Sequence, residues 1–321
     1  MLEISNNSTS IYRSCPKKYY WRYLRGLVPF KRSTALSLGS IVHSAFDMYY
    51  NKFSVDEVTD FIIKTSDEEI AKAPPEAAEG LVLVKYTALA MWLNYPKDLS
   101  RFSDIKPELE LRIKMPGMRG VDLVMKIDGL VKIDGKFWIR ELKTTGMSFG
   151  QFEKRCETSP QCSLYTYAVR KAGYPVEGII YDFVKKPMLR RHVRESKDDF
   201  GRRISASYKE RPEFYYKRHP SYRSQETLDL FEEDLRRVTR EIRTRCRKCD
   251  WYRNPDSCWN FNSACSYLPI CFQKEPDNLT IDVFFEKKPI NITKGGTDGS
   301  RNKGKSSNRK ESSKRSVRSC K

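Results

Sequence analysis

The dipeptide Asp134-Gly135, set between two alternating runs, constrains this chain more than any other feature. Asp-Gly in that setting is a strong signal for a two-residue β-hairpin, because the favoured turn needs positive φ at both central residues. With Ile133 and Lys136 flanking the turn, the register places Asp128 opposite Glu141. Lys143 lies two residues beyond Glu141 and projects from the same strand face, since side-chain direction repeats every second residue. Two facing carboxylates repel each other. A divalent cation between them removes that repulsion, and hard oxygen ligands beside a lysine suit a Mg²⁺ site working on phosphate. A solvated hairpin face with scattered charges is the competing reading of the same three residues.

The flanking sequence supplies a frame for the hairpin. Thr34 to Lys52 reads as a helix with an apolar stripe of Leu38, Ile41, Val42, Ala45, Phe46 and Tyr49, and His43 stands beside that stripe. A histidine in such a place is usually structural. Residues from about 53 to 100 form a helical insertion broken at Pro74-Pro75. Strands are expected at about 108–114, 124–133 and 136–143. Ser159-Pro160 then gives an N-cap and a first-turn proline for a helix ending near Gly173, on which Gln161 and Tyr165 share a face. Val176 to Val184 is apolar enough for a buried strand. Residues 228–245 repeat Leu228, Phe231, Leu235, Val238 and Ile242 at helical spacing. The order of hairpin, helix and strand predicts an α/β fold with a mixed sheet flanked by helices.

Charge points to a polyanionic partner. The net charge is +19 over 321 residues, and it is unevenly spread. Residues 12–32 hold seven Lys or Arg and no acid. Residues 185–223 hold thirteen basic and five acidic residues, interleaved with Tyr208, Phe214, Tyr215, Tyr216 and Tyr222. Cations that track phosphates beside rings on which bases stack are what a single-stranded nucleic-acid channel requires. For any one of these tyrosines, a place in the core is the simpler reading. No run of 18 apolar residues and no basic-then-apolar N-terminus is present, so neither a membrane span nor a secretion signal is indicated, and a cytoplasmic protein is expected.

Several spacings, in order, carry a resemblance. Glu141-Leu142-Lys143 after a strand bearing Asp128 resembles the core of the PD-(D/E)xK nuclease superfamily. Gly39 and His43 resemble the GxxxH element of its RecB-like branch, and Gln161 with Tyr165 its QxxxY element. The stretch from Ile4-Ser5 to Cys15-Pro16-Lys17-Lys18-Tyr19-Tyr20 resembles the N-terminal signature of that branch, and Cys258, Cys265 and Cys271 its C-terminal cysteine group. Each motif is weak alone, and the ordered set over residues 4–272 carries the specificity. The resemblance implies a restriction-endonuclease-like fold and a Mg²⁺- or Mn²⁺-dependent DNA nuclease, an exonuclease that accepts single strands, like stand-alone nucleases of phages and CRISPR adaptation systems. It implies that His43, Asp128, Glu141 and the Leu142 carbonyl hold the metal. Lys143 then orients the attacking water, while Gln161 and Tyr165 position the site or strand. The chain has no clear Pro-Asp pair at Asp128, so Asp122 and Glu110 are further candidates for the ligand role. A nucleic-acid-binding protein without catalysis, and a structure-specific endonuclease on RNA or branched DNA, are the other functions considered. A helicase or recombination partner fits the family without being specified by the sequence.

Nine cysteines with no export signal argue for metal binding over a disulfide framework. The resemblance implies that Cys15, Cys258, Cys265 and Cys271 bind one structural [4Fe-4S] cluster that closes the nuclease domain; soft sulfur ligands select such clusters or zinc. Cys246 and Cys249 form a CxxC pair that would favour a Zn²⁺ site with two later cysteines instead. Cys156, Cys162 and Cys320 are expected to be free. The division expected is a nuclease domain over 1–288, with its cysteine region at about 246–272, and a basic disordered tail over 289–321. Within that tail, residues 299–306 satisfy GxxxxGK[ST], but no apolar strand precedes them and no periodic helix follows, so no ATPase activity is expected.

Overall fold

The structure is a computed structural model that describes residues 1–30, 34–97, 102–260, 263–273 and 275–288. The 289–321 tail, with its GxxxxGK[ST] match and Cys320, lies outside the described residues. Asp134 and Gly135 both have positive φ, 49° and 80°, as the mirror-image turn demands. They join β3 (Val121–Ile133) to β4 (Lys136–Thr145) with Ile133 opposite Lys136 and Gly129 opposite Arg140. The predicted register is therefore the one observed.

Around this hairpin the sheet completes itself. One edge of β3 pairs antiparallel with β2 (Ser103–Lys114), and the N-terminal strand β1 (Leu2–Ile4) pairs parallel with residues 121–123. Because β2 occupies one edge, β1 and β4 share the other, and residues 124–128 of that edge lie between them. β4 pairs parallel with β5 (Val176–Lys185), which pairs antiparallel with β6 (Tyr216–Tyr222). The sheet is mixed, as parallel and antiparallel pairs alternate across it. β1 is only three residues long and was not expected from periodicity.

Helices cover both faces. Serines at positions 5, 54, 148, 159, 196 and 224 cap six of them, each accepting an N–H from the third helical residue, which satisfies a donor the first turn leaves open. On one face α1 (Asn6–Ser14), α5 (Phe149–Glu157), α6 (Pro160–Lys171) and α8 (Gln225–Lys248) join Leu123, Ile127, Ile139 and Tyr181 in one apolar core. On the other face α2 (Thr34–Tyr50), α3 (Val55–Ala71), α4 (Pro75–Leu93) and α7 (Lys197–Glu210) enclose Val131, Leu142, Ile180 and Val184. The insertion helices α3 and α4 break at the expected prolines and build this second core. Among the described residues, no helix is long and apolar enough to cross a membrane.

The basic 185–223 stretch needs correction. It folds into α7 and β6, and Tyr208, Tyr215 and Tyr216 are buried in the second core, with Tyr208 stacked on Tyr215 at 4.0 Å between ring centroids. Apolar ring area gains more by leaving water than by waiting for a base. Phe214 and Tyr222 alone of the five remain exposed.

Close strand packing yields a test of this topology. A Cβ on Gly178 of β5 would stand 2.2 Å from the Ser221 carbonyl oxygen of β6, whereas one on Gly150 meets nothing within 4 Å. Gly178→Ala should cost about 1–3 kcal/mol or more, while Gly150→Ala should be neutral or slightly stabilising. Thermal melting of both variants checks this; equal melting temperatures would contradict the β5–β6 pairing.

Candidate active site

The β3–β4 ladder stops one residue short of Asp128 and Glu141. Instead of a further backbone pair, the Asp128 side chain takes over: its Oδ2 accepts the Leu142 N–H at 2.8 Å. β4 then continues with β5 alone, Glu141 facing Tyr181 across the parallel ladder. The strands thus part where the two carboxylates meet, and the gap lies between the helical layers of the two faces.

Glu141 is buried, and its two oxygens differ. Oε1 accepts from Lys143 Nζ at 2.6 Å and from Gln161 Nε2 at 2.9 Å. Oε2 is buried with no hydrogen-bond partner. Gln161 Nε2 also donates to the Tyr165 hydroxyl at 3.0 Å, so the i, i+4 pair on α6 acts as one bracket around Oε1. From the opposite layer, His43 on α2 brings Nδ1 to 3.4 Å from Asp128 Oδ2. These six residues come from three local signals, the hairpin, the helix begun by Ser159-Pro160 and the helix that bears His43, and the fold brings them to one place.

Electrostatics follows from burial and crowding. Burial, and then the Asp128 charge, pushes the Glu141 carboxyl up to about 7. Burial also raises Asp128, but His43, Arg140, Lys143 and the Leu142 amide outweigh it and leave that carboxyl below its ordinary range. Burial lowers His43 by more than Asp128 raises it, which keeps the imidazole neutral with a lone pair to give. Lys143 is opposed by burial, yet Glu141 and Asp128 hold it charged. Asp128 and Glu141 are therefore not in the same state without a further positive charge between them.

Asp47 was missed by sequence reasoning. It lies one helical turn after His43 on α2, and burial followed by Asp128 pushes its carboxyl up to about 7. The i, i+4 spacing from His43 was the available signal. Arg140 was missed too: its guanidinium is fully buried and donates from Nη2 to the Asp128 carbonyl oxygen at 2.7 Å. Asp122 and Glu110 do not share the site. Asp122 stands six residues back along β3, near β1, paired to Arg112 at 3.0 Å and Lys114 at 2.8 Å. Glu110 is exposed and opposite Lys126.

The residues fit a hard cation. A buried carboxylate oxygen with no donor, a second carboxylate beside it, a neutral imidazole and a raised carboxyl pKa together describe a donor set short of one positive partner. The cysteines form a second centre. Cys15, Cys258, Cys265 and Cys271 line one cavity together with Lys18, Arg253, Asn254 and Tyr267, and four soft thiols around one space fit a cluster or zinc. Cys246 is not among those lining residues; it packs on the first apolar core. Cys156 and Cys162 are buried free thiols. Among the described residues, no group of three or more His, Cys, Asp or Glu is gathered tightly enough to hold an ion as it stands.

The geometry narrows the fold families to compare. No individual curated protein matches the chain. The family model that matches is the PD-(D/E)XK nuclease superfamily, over residues 3–272, a span that takes in the sheet, α2, α6 and all four cavity cysteines. That span holds most of the sequence, and the chain belongs to the PD-(D/E)XK nuclease superfamily.

Proposed function

We propose that this chain is a metal-dependent DNA nuclease of the RecB-like branch, an exonuclease that accepts single strands. The observation that carries the reading is Glu141 Oε2, buried and without a donor beside Asp128 and Lys143. His43, Asp128, Glu141 and the Leu142 carbonyl would hold Mg²⁺ or Mn²⁺. A strand residue directs its N–H and C=O to the same side, so the Leu142 carbonyl faces the gap into which its N–H donates. The bound ion supplies a water of lowered pKa and positive charge for the pentacoordinate transition state.

This chain's own groups do the rest. Gln161, which also donates to the Tyr165 hydroxyl, holds Glu141 by Oε1 and leaves Oε2 without a donor. Lys143 keeps its proton and, held by Glu141 at 2.6 Å, orients the attacking water and balances charge developing on phosphate. His43 offers a neutral nitrogen beside the ionised Asp128. The +19 net charge supports a polyanionic substrate. At the second centre, Cys15, Cys258, Cys265 and Cys271 hold a structural [4Fe-4S] cluster, with zinc as the rival occupant.

Cleavage of end-labelled single strands with Mg²⁺, Mn²⁺ or chelator tests the activity, and a circular single strand separates exonuclease from endonuclease. Asp128→Ala, Glu141→Ala and Lys143→Ala should each lower cleavage by about 10²-fold or more, with DNA binding retained; a fully active Glu141→Ala would sink the assignment. Added Mg²⁺ should not rescue Lys143→Ala.

The raised carboxyls set a pH dependence. Glu141 and Asp47 titrate near 7 when folded against ordinary values of 4.5 and 3.8. The folded protein thus binds these protons more tightly than the unfolded chain, so the contribution of these two groups to metal-free stability is greatest at low pH and falls as pH rises from about 4 to about 7. The melting temperature of metal-free protein should drop across that window, and Glu141→Gln should flatten the drop. Mg²⁺ should raise it more at the upper end than at the lower.

For the second centre, protein purified without oxygen should be brown, and Cys265→Ala should lose the colour and melt earlier. Colourless protein with one zinc per chain would replace the cluster by zinc.

A further inference from the structure

The face of the sheet turned toward α2 carries a charge that the cleavage chemistry leaves without a task. Arg140, adjacent to Glu141 on β4, is 0 % exposed. A guanidinium in that position is tolerated only where fixed partners replace water. Its Nη2 donates to the Asp128 carbonyl oxygen at 2.7 Å and stands 3.7 Å from Asp47 Oδ1. Its carbon sits 3.6 Å from the centre of the Tyr50 ring, and the Tyr50 hydroxyl is itself tied to Asp182 at 3.0 Å. Nε and Nη1 have no hydrogen-bond partner. Arg140 is therefore poorly satisfied on its own account.

Its surroundings are nevertheless shaped for it. Gly129, the cross-strand partner of Arg140, leaves the space the side chain crosses: a Cβ there would stand 3.3 Å from Arg140 Nε and 3.2 Å from the Lys106 carbonyl oxygen. His43, Asp47 and Tyr50 recur at i, i+4 and i+7 on α2, so one helix face presents a candidate ligand, the anion near Arg140 and the ring against it. The hydrogen bond from Arg140 falls on the main chain of Asp128, at the point where β3 and β4 part.

We propose, on the basis of the nuclease reading above, that Arg140 is a positioning residue for the cleavage site: it fixes the Asp128 main chain at the end of the ladder and anchors Asp47 beside the Asp128 carboxylate. The planar group matters more than the charge. Lysine keeps the charge but not the flat guanidinium that lies against the Tyr50 ring while its Nη2 reaches the Asp128 carbonyl oxygen.

The test uses full-length Arg140→Lys, Arg140→Met and Asp47→Asn, with kcat, KM for a linear single strand, half-saturating Mg²⁺, Mn²⁺ binding by calorimetry and melting temperature. Arg140→Lys should lower kcat by about 10- to 100-fold, raise half-saturating Mg²⁺, weaken Mn²⁺ binding and leave KM for DNA within about twofold. Asp47→Asn, on a partly exposed side chain that folding can spare, should shift the metal response in the same direction, and its combination with Arg140→Lys should be less than additive. Wild-type kcat and metal response in Arg140→Lys would overturn the positioning role. So would an Arg140→Met that binds Mn²⁺ more tightly with kcat intact, since removing a repelling charge would then be all that Arg140 does. Loss of activity that merely follows the fraction folded would overturn it as well. If the wild type cleaves nothing, the nuclease reading fails, and Mn²⁺ calorimetry still decides Arg140: weaker binding in Arg140→Lys and Asp47→Asn keeps the role, unchanged binding removes it.

Discussion

One hydrogen bond organises the site: Asp128 Oδ2 accepts the Leu142 N–H in place of a backbone carbonyl. A ladder that continued would have sealed β3 to β4 and placed the carboxylates on a closed surface. A ladder that ended without a substitute would have left a buried N–H unpaired, which is costly. The side-chain acceptor lets the strands part without leaving the Leu142 N–H unpaired. Everything else in the centre assumes that opening. Glu141 can lean on α6, His43 can reach in from α2, and Oε2 is left buried without a donor.

Charge balance then decides what the gap can hold. Asp47, Asp128 and Glu141 crowd one region, with Arg140 and Lys143 as counter-charges of different kinds. Arg140 is fixed by a main-chain carbonyl and a ring, so it stays where it is. Lys143 is held by Glu141 and is partly exposed, so it is the freer of the two to move. Burial first, and then the Asp128 charge, keeps Glu141 and Asp47 raised despite these two cations.

The ends of the described chain are clasped by groups of the chain itself. Lys17 N–H donates to the Tyr252 carbonyl oxygen, Asn254 Nδ2 and Ser257 Oγ donate to the Ser14 carbonyl oxygen, and the Tyr267 hydroxyl donates to that of Leu27. Residues 27–29 pair antiparallel with 285–287. Tyr19 stacks on Trp251 at 5.6 Å. This clasp, more than the thiols, brings Cys15 to the later three cysteines across 243 residues of sequence, because closing so long a loop needs many contacts to offset its entropy.

The hairpin was legible in sequence because turn chemistry and a period of two fix register locally. The same holds for the Ser159-Pro160 start of α6, and for the break at Pro74-Pro75, where single residues impose their geometry. The three-residue β1 carries too short a pattern to read, and its pairing is decided by the edge of β3 that β4 leaves open. The tyrosines of 185–223 looked like a stacking surface beside cations, and only packing revealed that three of them fill the second core. Arg140 gave no signal in sequence, and Asp47 only its spacing from His43, for a related reason. Their roles depend on α2 crossing the sheet at one height, a fact of tertiary structure. Sequence thus determined which groups could do the chemistry; the fold decided which of them share one low-dielectric gap, where proximity and burial change what each group is.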